Sequence, residues 1–189
     1  MNELIAAADD VQTFCLTRSW HFAFIGGLAV LRWGEPRLTR DIDLTIFSGF
    51  GGEDQYIDAI LDHFKARRQS MKAFARQYRV ILIETGNHIP VDIVLGGIPF
   101  EKNMINNSSF YEFEKGVSIK TCSAEDLIVM KAFADRNRDW VDVEGILSKQ
   151  HFSLDWIHIY QQLEPLCKLK EAPHILTKLR ALSQTTSGS

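Results

Sequence analysis

Three aspartates, read with a pair of glycines, carry the chemistry in this sequence. Asp41 and Asp43 stand two apart in Arg37-Leu38-Thr39-Arg40-Asp41-Ile42-Asp43-Leu44, and Asp92 sits among apolar neighbours in Val91-Asp92-Ile93-Val94. Side chains at i and i+2 of a strand share a face, so Asp41 and Asp43 are expected to project together while Ile42 and Leu44 turn to the core. Asp92 is a single acid released from a strand otherwise suited to burial. Carboxylates this close raise one another's pKa unless something positive lies among them. Mg²⁺ is the natural counter-charge, because it takes hard oxygen ligands and keeps positions open for phosphate oxygens. Gly26-Gly27 follows an apolar run and opens the next segment; there the backbone can approach an anion and aim free helix N–H groups at it. A triphosphate held at that point would share two metal ions with the three acids, an arrangement suited to phosphoryl or nucleotidyl transfer. Each part alone has an ordinary explanation: a chance acidic pair, a turn, an edge-strand acid. Their ordered combination carries the expectation.

The elements that must position these residues are visible in the periodicity. Leu4, Ile5, Ala8, Val11 and Cys15 predict an amphipathic helix over 2–18. A buried strand over 22–25 is broken by Gly26-Gly27, a helix resumes over 28–33, and Gly34-Glu35-Pro36 marks a loop. A strand over 41–47 and a helix over 56–64 come next. The β-branched runs 80–84 and 91–95, separated by Gly86, Asn87, His88 and Pro90, predict two adjacent antiparallel strands. From Ser123, a capping residue with Asp126 three positions on, the pattern becomes helical. Further helices are expected over 140–147, 154–163 and 173–182, Pro173 suiting a first turn, with a frayed polar tail from Ser183 to Ser189. The expected fold class is α+β, a mixed β-sheet flanked by helices with a C-terminal helical part; the catalytic core would span 1–118 and a helical subdomain 119–189.

Composition removes several classes. The chain has 189 residues, 46% hydrophobic and 24% charged, with a formal net charge of −3, which fits an ordinary globular protein and argues against disorder. The longest uncharged apolar stretch, 22–31, is about half of the ~20 residues that cross a bilayer. The acidic N-terminal segment shows no secretory pattern, so a cytoplasmic location and no membrane partner are expected. Cys15, Cys122 and Cys167 are far apart and form no Cys-x-x-Cys pair, which suits buried thiols. The histidines make no zinc pattern, His151 and His158 being seven apart. There is no Ser-His-Asp order, Walker loop or dinucleotide fingerprint.

At these residues the sequence resembles the polymerase-beta-like nucleotidyltransferase superfamily, with its apolar strand, Gly-Gly, Asp-x-Asp and later third acid. More closely it is similar to the AbiEii-type branch, the nucleotidyltransferase toxins of type IV toxin–antitoxin systems and their relatives. The run 37–44, the run Ile89-Pro90-Val91-Asp92-Ile93-Val94-Leu95 with Pro99-Phe100-Glu101, and Glu125-Asp126-Leu127-Ile128-Val129-Met130-Lys131 leading to Arg136-Asn137-Arg138-Asp139-Trp140-Val141-Asp142 carry that likeness over roughly 20–147. Arg138 departs from it, standing where the branch often has lysine, a change of donor geometry at constant charge. The resemblance implies the nucleotidyltransferase fold and a catalytic, metal-binding set of Asp41, Asp43 and Asp92. It implies nucleotide binding by Gly26, Gly27 and Lys131, with Arg37, Thr39 and Arg40 as further candidates. Asp139 and Asp142, three apart on one helical face, would orient Lys131 or the base. Two Mg²⁺ ions, an NTP donor, and an RNA (tRNA) or protein acceptor follow from the same likeness, as does a cognate antitoxin.

Between Asp62 and Glu84 stand Lys65, Arg67, Arg68, Lys72, Arg76 and Arg79 with no acid among them. This segment would either steer a polyanionic acceptor, with Phe74 and Tyr78 as stacking surfaces, or form a solvated face that balances the acidic site. The expected function is thus Mg²⁺-dependent transfer of NMP from NTP to a hydroxyl. The alternatives are a small-molecule (antibiotic-type) nucleotidyltransferase, a non-catalytic nucleotide-binding protein of the same fold, and a two-metal nuclease, which would not need the Gly-Gly element.

Overall fold

A computed structural model describes residues 2–150 and 153–185. His151 and residues 186–189 of the polar tail lie outside them; Ser183 belongs to the last helix. The first helix, α1 (Glu3–Thr17), is capped by Asn2, whose side chain accepts from the Leu4 N–H, and it buries Leu4, Ile5, Ala8, Val11 and Cys15. Gln12, buried in α1, donates to the Ser118 carbonyl at 2.8 Å and accepts from the Lys120 N–H at 2.9 Å. Those two bonds fix the helix to the strand that carries both residues.

Seven strands form one mixed sheet: β1 (Phe22–Ile25), β2 (Ile42–Phe47), β3 (Lys65–Ala66), β4 (Val80–Glu84), β5 (Pro90–Gly96), β6 (Ser109–Glu114) and β7 (Val117–Thr121), in the order β3-β4-β5-β2-β1-β7-β6. β2 runs parallel to β5, and β1 to β7; the other pairs are antiparallel. Register aligns the core: Ile42, Leu44 and Ile46 stand opposite Val91, Ile93 and Leu95, and all six are buried. Each such side chain contributes roughly 1.5–3 kcal/mol. The other face carries Ile25, Asp43, Asp92 and Leu82 in one row, half-buried. The 80–84 and 91–95 pair is antiparallel, as its sequence pattern predicts.

Helices α2 (Gly26–Trp33), α3 (Glu53–His63), α4 (Met71–Tyr78) and α5 (Pro99–Asn106) lie between strands along the chain; α6 (Ala124–Ala134), α7 (Asn137–Gln150), α8 (Trp156–Lys170) and α9 (His174–Thr185) follow the last strand. The chain is thus α+β with a mixed sheet and a C-terminal helical part. It divides into two compact units, one of Met1–Leu28 with Leu38–Cys122, the other of Ala29–Arg37 with Ser123 onward. The expected cut at 118/119 falls inside β7, and residues 29–37 join the helical unit.

Several elements differ from expectation. α2 begins at Gly26 itself, α7 starts three residues before Trp140, and α8 passes through Pro165 to end at Lys170. Ser123 caps α6 as its position predicts: its hydroxyl accepts from the Asp126 N–H at 3.1 Å and donates to the Asp126 carboxylate at 2.9 Å. The β6–β7 hairpin turns at Gly116, whose φ of +80° suits glycine.

Candidate active site

In the sheet unit, Asp43 of β2 and Asp92 of β5 are register partners on adjacent parallel strands, so their side chains leave the same face side by side. Ile25, the last residue of β1, stands opposite Asp43 on its other flank. The chain then turns at Gly26, with φ +55°, directly against the acid: a Cβ there would lie 1.9 Å from Asp43 Oδ2. A Cβ on Gly27 would lie 2.2 Å from Thr39 Oγ1. Each glycine therefore makes room for one residue of the Thr39-x-Asp41-x-Asp43 run. Conformational freedom is needed at Gly26, and the close approach is needed at both.

Asp41 lies one residue short of the strand predicted to carry it. β2 starts at Ile42, and Asp41 sits exposed in a bend before it. Its ladder position would fall opposite Pro90, which has no N–H to give, while β1 on the other side has already turned away at Gly26. The Thr39 hydroxyl instead holds the Asp41 carboxylate at 3.2 Å. Arg40 is exposed beside it. Among the described residues no three acidic, histidine or cysteine side chains are gathered so as to hold a metal ion. The donors nevertheless fit a hard divalent cation in kind: two in-register carboxylates, one of them seated on a glycine that any side chain would displace, and a third acid two residues upstream.

A positive group already meets this row. Arg67, just after β3, places Nη1 2.6 Å from Asp92 Oδ1. Sequence reasoning placed Arg67 within a basic segment but did not connect it with Asp92. The signal is the sheet register, which a two-residue strand does not reveal. The rest of that segment is also paired: Lys65 with Glu84, Lys72 with Asp58, Arg76 with Asp54 and Arg79 with Glu53, while Arg68 lies over the Phe74 ring. The acids come from α3 and β4, so the free positive surface that the run of bases suggests is largely neutralised. Hydrogen bonds from Arg76 and Lys65 hold the Asp54 and Glu84 carboxyls below their ordinary range.

The helical unit holds a second cluster. Lys131 of α6 is buried and contacts two acids of α7, Asp139 at 3.0 Å and Asp142 at 2.8 Å. Arg37 grips Asp142 through Nε at 2.6 Å and Nη2 at 2.9 Å, a bidentate pair, and Arg136 closes on Asp139. Burial opposes ionisation of both aspartates. The hydrogen bonds from Arg136 and Lys131 on Asp139, and from Arg37 and Lys131 on Asp142, outweigh it and keep both carboxyls below their usual value. The i, i+3 spacing of Asp139 and Asp142 brings both onto Lys131, as the sequence suggests. The role of Arg136 had no sequence signal beyond its own i, i+3 distance from Asp139.

Residues 17–185 match the family described as nucleotidyl transferase AbiEii toxin, type IV TA system. Comparison with curated proteins gives no match. Among solved structures, an antigenic nucleotidyltransferase-like protein from Paracoccidioides brasiliensis is similar over 96% of this chain and 94% of its own, at 15% identity and a TM-score of 0.57. The lincosamide antibiotic adenylyltransferase LnuA, bound to lincomycin, is similar over 77% of this chain and 96% of its own, at 15% identity and a TM-score of 0.52. At such identity the likeness shows the fold, which is that of the nucleotidyltransferases.

Proposed function

The chain belongs to the AbiEii family of nucleotidyl transferase toxins of type IV toxin–antitoxin systems, and on that premise we propose that it moves a nucleoside monophosphate from an NTP to a hydroxyl of RNA or protein, with a cognate antitoxin as its regulator. The observation that carries this proposal is the Asp43–Asp92 pair, in register on one sheet face with Gly26 closed against Asp43. Asp43, Asp92 and, from its bend, Asp41 are the residues to hold Mg²⁺, which when bound would neutralise the triphosphate and lower the barrier to attack. Asp92 accepts the proton of the attacking hydroxyl, that oxygen bonds to the α-phosphorus, and pyrophosphate leaves. The N–H groups that open α2 at Gly26 and Gly27 suit the triphosphate. Lys131, with Arg37, Thr39 and Arg40, is assigned to the nucleotide by resemblance, and Asp139 and Asp142 would hold the Lys131 ammonium in place.

A second reading, a small-molecule acceptor, draws support from the pairing of the basic segment: a strand of RNA would find Lys65, Lys72, Arg76 and Arg79 already engaged with acids. Incubation with each of four labelled NTPs, Mg²⁺, and either total tRNA or lysate protein tests the proposal. A labelled macromolecule is expected, and Asp43→Ala should abolish it. Label transfer unchanged by that substitution would refute the assignment, and label found only on small molecules would favour the second reading.

A further inference from the structure

One row crosses four strands of the sheet. Leu82 of β4 stands opposite Asp92, Asp92 opposite Asp43, and Asp43 opposite Ile25. The row begins at Arg67, whose N–H donates to the Leu82 carbonyl at 2.9 Å and continues the β3–β4 ladder one residue past Ala66. Strands lie about 4.8 Å apart, so Arg67 and Asp92 start roughly 10 Å apart, and the long arginine stem spans Leu82 to bring the two groups to 2.6 Å. Neighbouring bases spend their charge elsewhere: Lys65 on Glu84 directly opposite, Lys72 and Arg76 on α3. Within this segment Arg67 is the base whose ion pair ends on one of the three site aspartates.

We propose that Arg67 guards the acid pair, competing with the divalent cation for Asp92. The inference rests on the assignment of Asp43 and Asp92 as metal ligands. An Asp92 oxygen held at 2.6 Å by a guanidinium is not available to a metal until that ion pair opens, and a fixed positive charge in the row opposes the approach of another. Arginine stays charged at any working pH, so the competition is constant. It keeps metal affinity low while no donor is bound, and an arriving triphosphate offers the guanidinium a bidentate partner in place of Asp92. Metal entry is thereby coupled to the donor.

The test is Mn²⁺ binding to the full chain without nucleotide, read from the electron paramagnetic resonance of free Mn²⁺. Arg67→Ala and Arg67→Gln should bind about fivefold more tightly than the parent, the scale of a partly exposed ion pair. Arg67→Lys should fall between them, Arg76→Ala should match the parent, and the gain should shrink as salt is raised. Asp43→Asn added to Arg67→Ala should abolish the gain, which separates tighter binding at the site from binding by carboxylates exposed in a damaged fold. If Arg67→Ala and Arg67→Gln bind no better than the parent while Asp43→Asn still abolishes binding, competition by Arg67 is wrong and the metal site stands. If Asp43→Asn binds as the parent does, or no chain binds Mn²⁺, the site assignment and this proposal fall together.

Discussion

On the sheet, Asp43 and Asp92 stand half-open in a cross-strand row where the guanidinium of Arg67 meets Asp92. In the helical unit, Asp139 and Asp142 are closed in and shared among Lys131, Arg37 and Arg136. The same residue type thus serves two ends. Buried carboxylates are tolerable only when paired and hydrogen-bonded, and the helical cluster meets that demand from within the chain, so its charges are committed to the fold. On the sheet the Asp92 side chain stays 39% exposed, and Asp43 and Asp92 are only half-buried. A polar group that the fold has buried and matched is best read as architecture or positioning, while one left half-open on a rigid strand is best read as a site. That contrast makes opposite forecasts for substitutions that look alike on paper.

The largest effect on stability should come from Asp142→Ala. It leaves Lys131 and Arg37 without a partner they now share, and breaking a buried pair costs about 3–5 kcal/mol when no other partner remains; since Lys131 keeps Asp139, a loss of about 2–3 kcal/mol is expected in chemical denaturation. Asp43→Ala should abolish transfer yet change unfolding by much less. Equal stability losses in the two variants would erase the distinction between buried and half-open acids. Gly26→Ala ranks next. Its Cβ would strike the Asp43 carboxylate and its φ of +55° disfavours a side chain, together about 1–3 kcal/mol. In an Asp43→Gly background, which also removes the Asp43 Cβ that would lie 2.8 Å away, only the backbone part, about 1–2 kcal/mol, should persist; a double-mutant cycle on unfolding free energies measures the difference, and strict additivity would mean that the close approach does not matter.

What the sequence made legible follows the same line. β1, the β4–β5 pair, the Ser123 cap and the core of α1 were readable because local signals there agree with burial: alternating β-branched residues, a hydroxyl before an apolar run, a 3.6-residue period. β6 gave no such signal, since an edge strand with its Ser109, Phe110, Tyr111 and Glu112 all exposed has no inside-outside alternation to show. The helix expected over 154–163 stops short of Pro165, yet α8 passes through that proline to Lys170. Within the site, the Asp43–Asp92 partnership was implied by two strands each releasing one acid. The strand was expected to begin at Asp41 and begins at Ile42, because alternation alone does not show where its neighbours stop pairing. Arg67 was unreadable because its partner is set by register across three strands, a long-range property absent from any local window.

The smallest expected effect is a pH dependence at the matched acids. Arg136 and Lys131 lower the Asp139 carboxyl against its burial, and Arg37 with Lys131 lowers that of Asp142. A carboxyl whose folded pKa lies below its unfolded value binds fewer protons folded than unfolded in the interval between them, so its contribution rises with pH there. That contribution is complete above the unfolded value of about 4 and is lost as pH falls through the lower folded value. Asp142→Asn keeps the shape and one acceptor oxygen but cannot titrate. Its deficit in stability against the parent should therefore be greatest near neutrality and narrow steadily as pH falls below about 4, in urea melts run at fixed ionic strength. A deficit that stays flat as pH falls below about 4 would show that Arg37 and Lys131 do not hold the Asp142 carboxyl down, and the reading of the helical cluster as matched from within would fail.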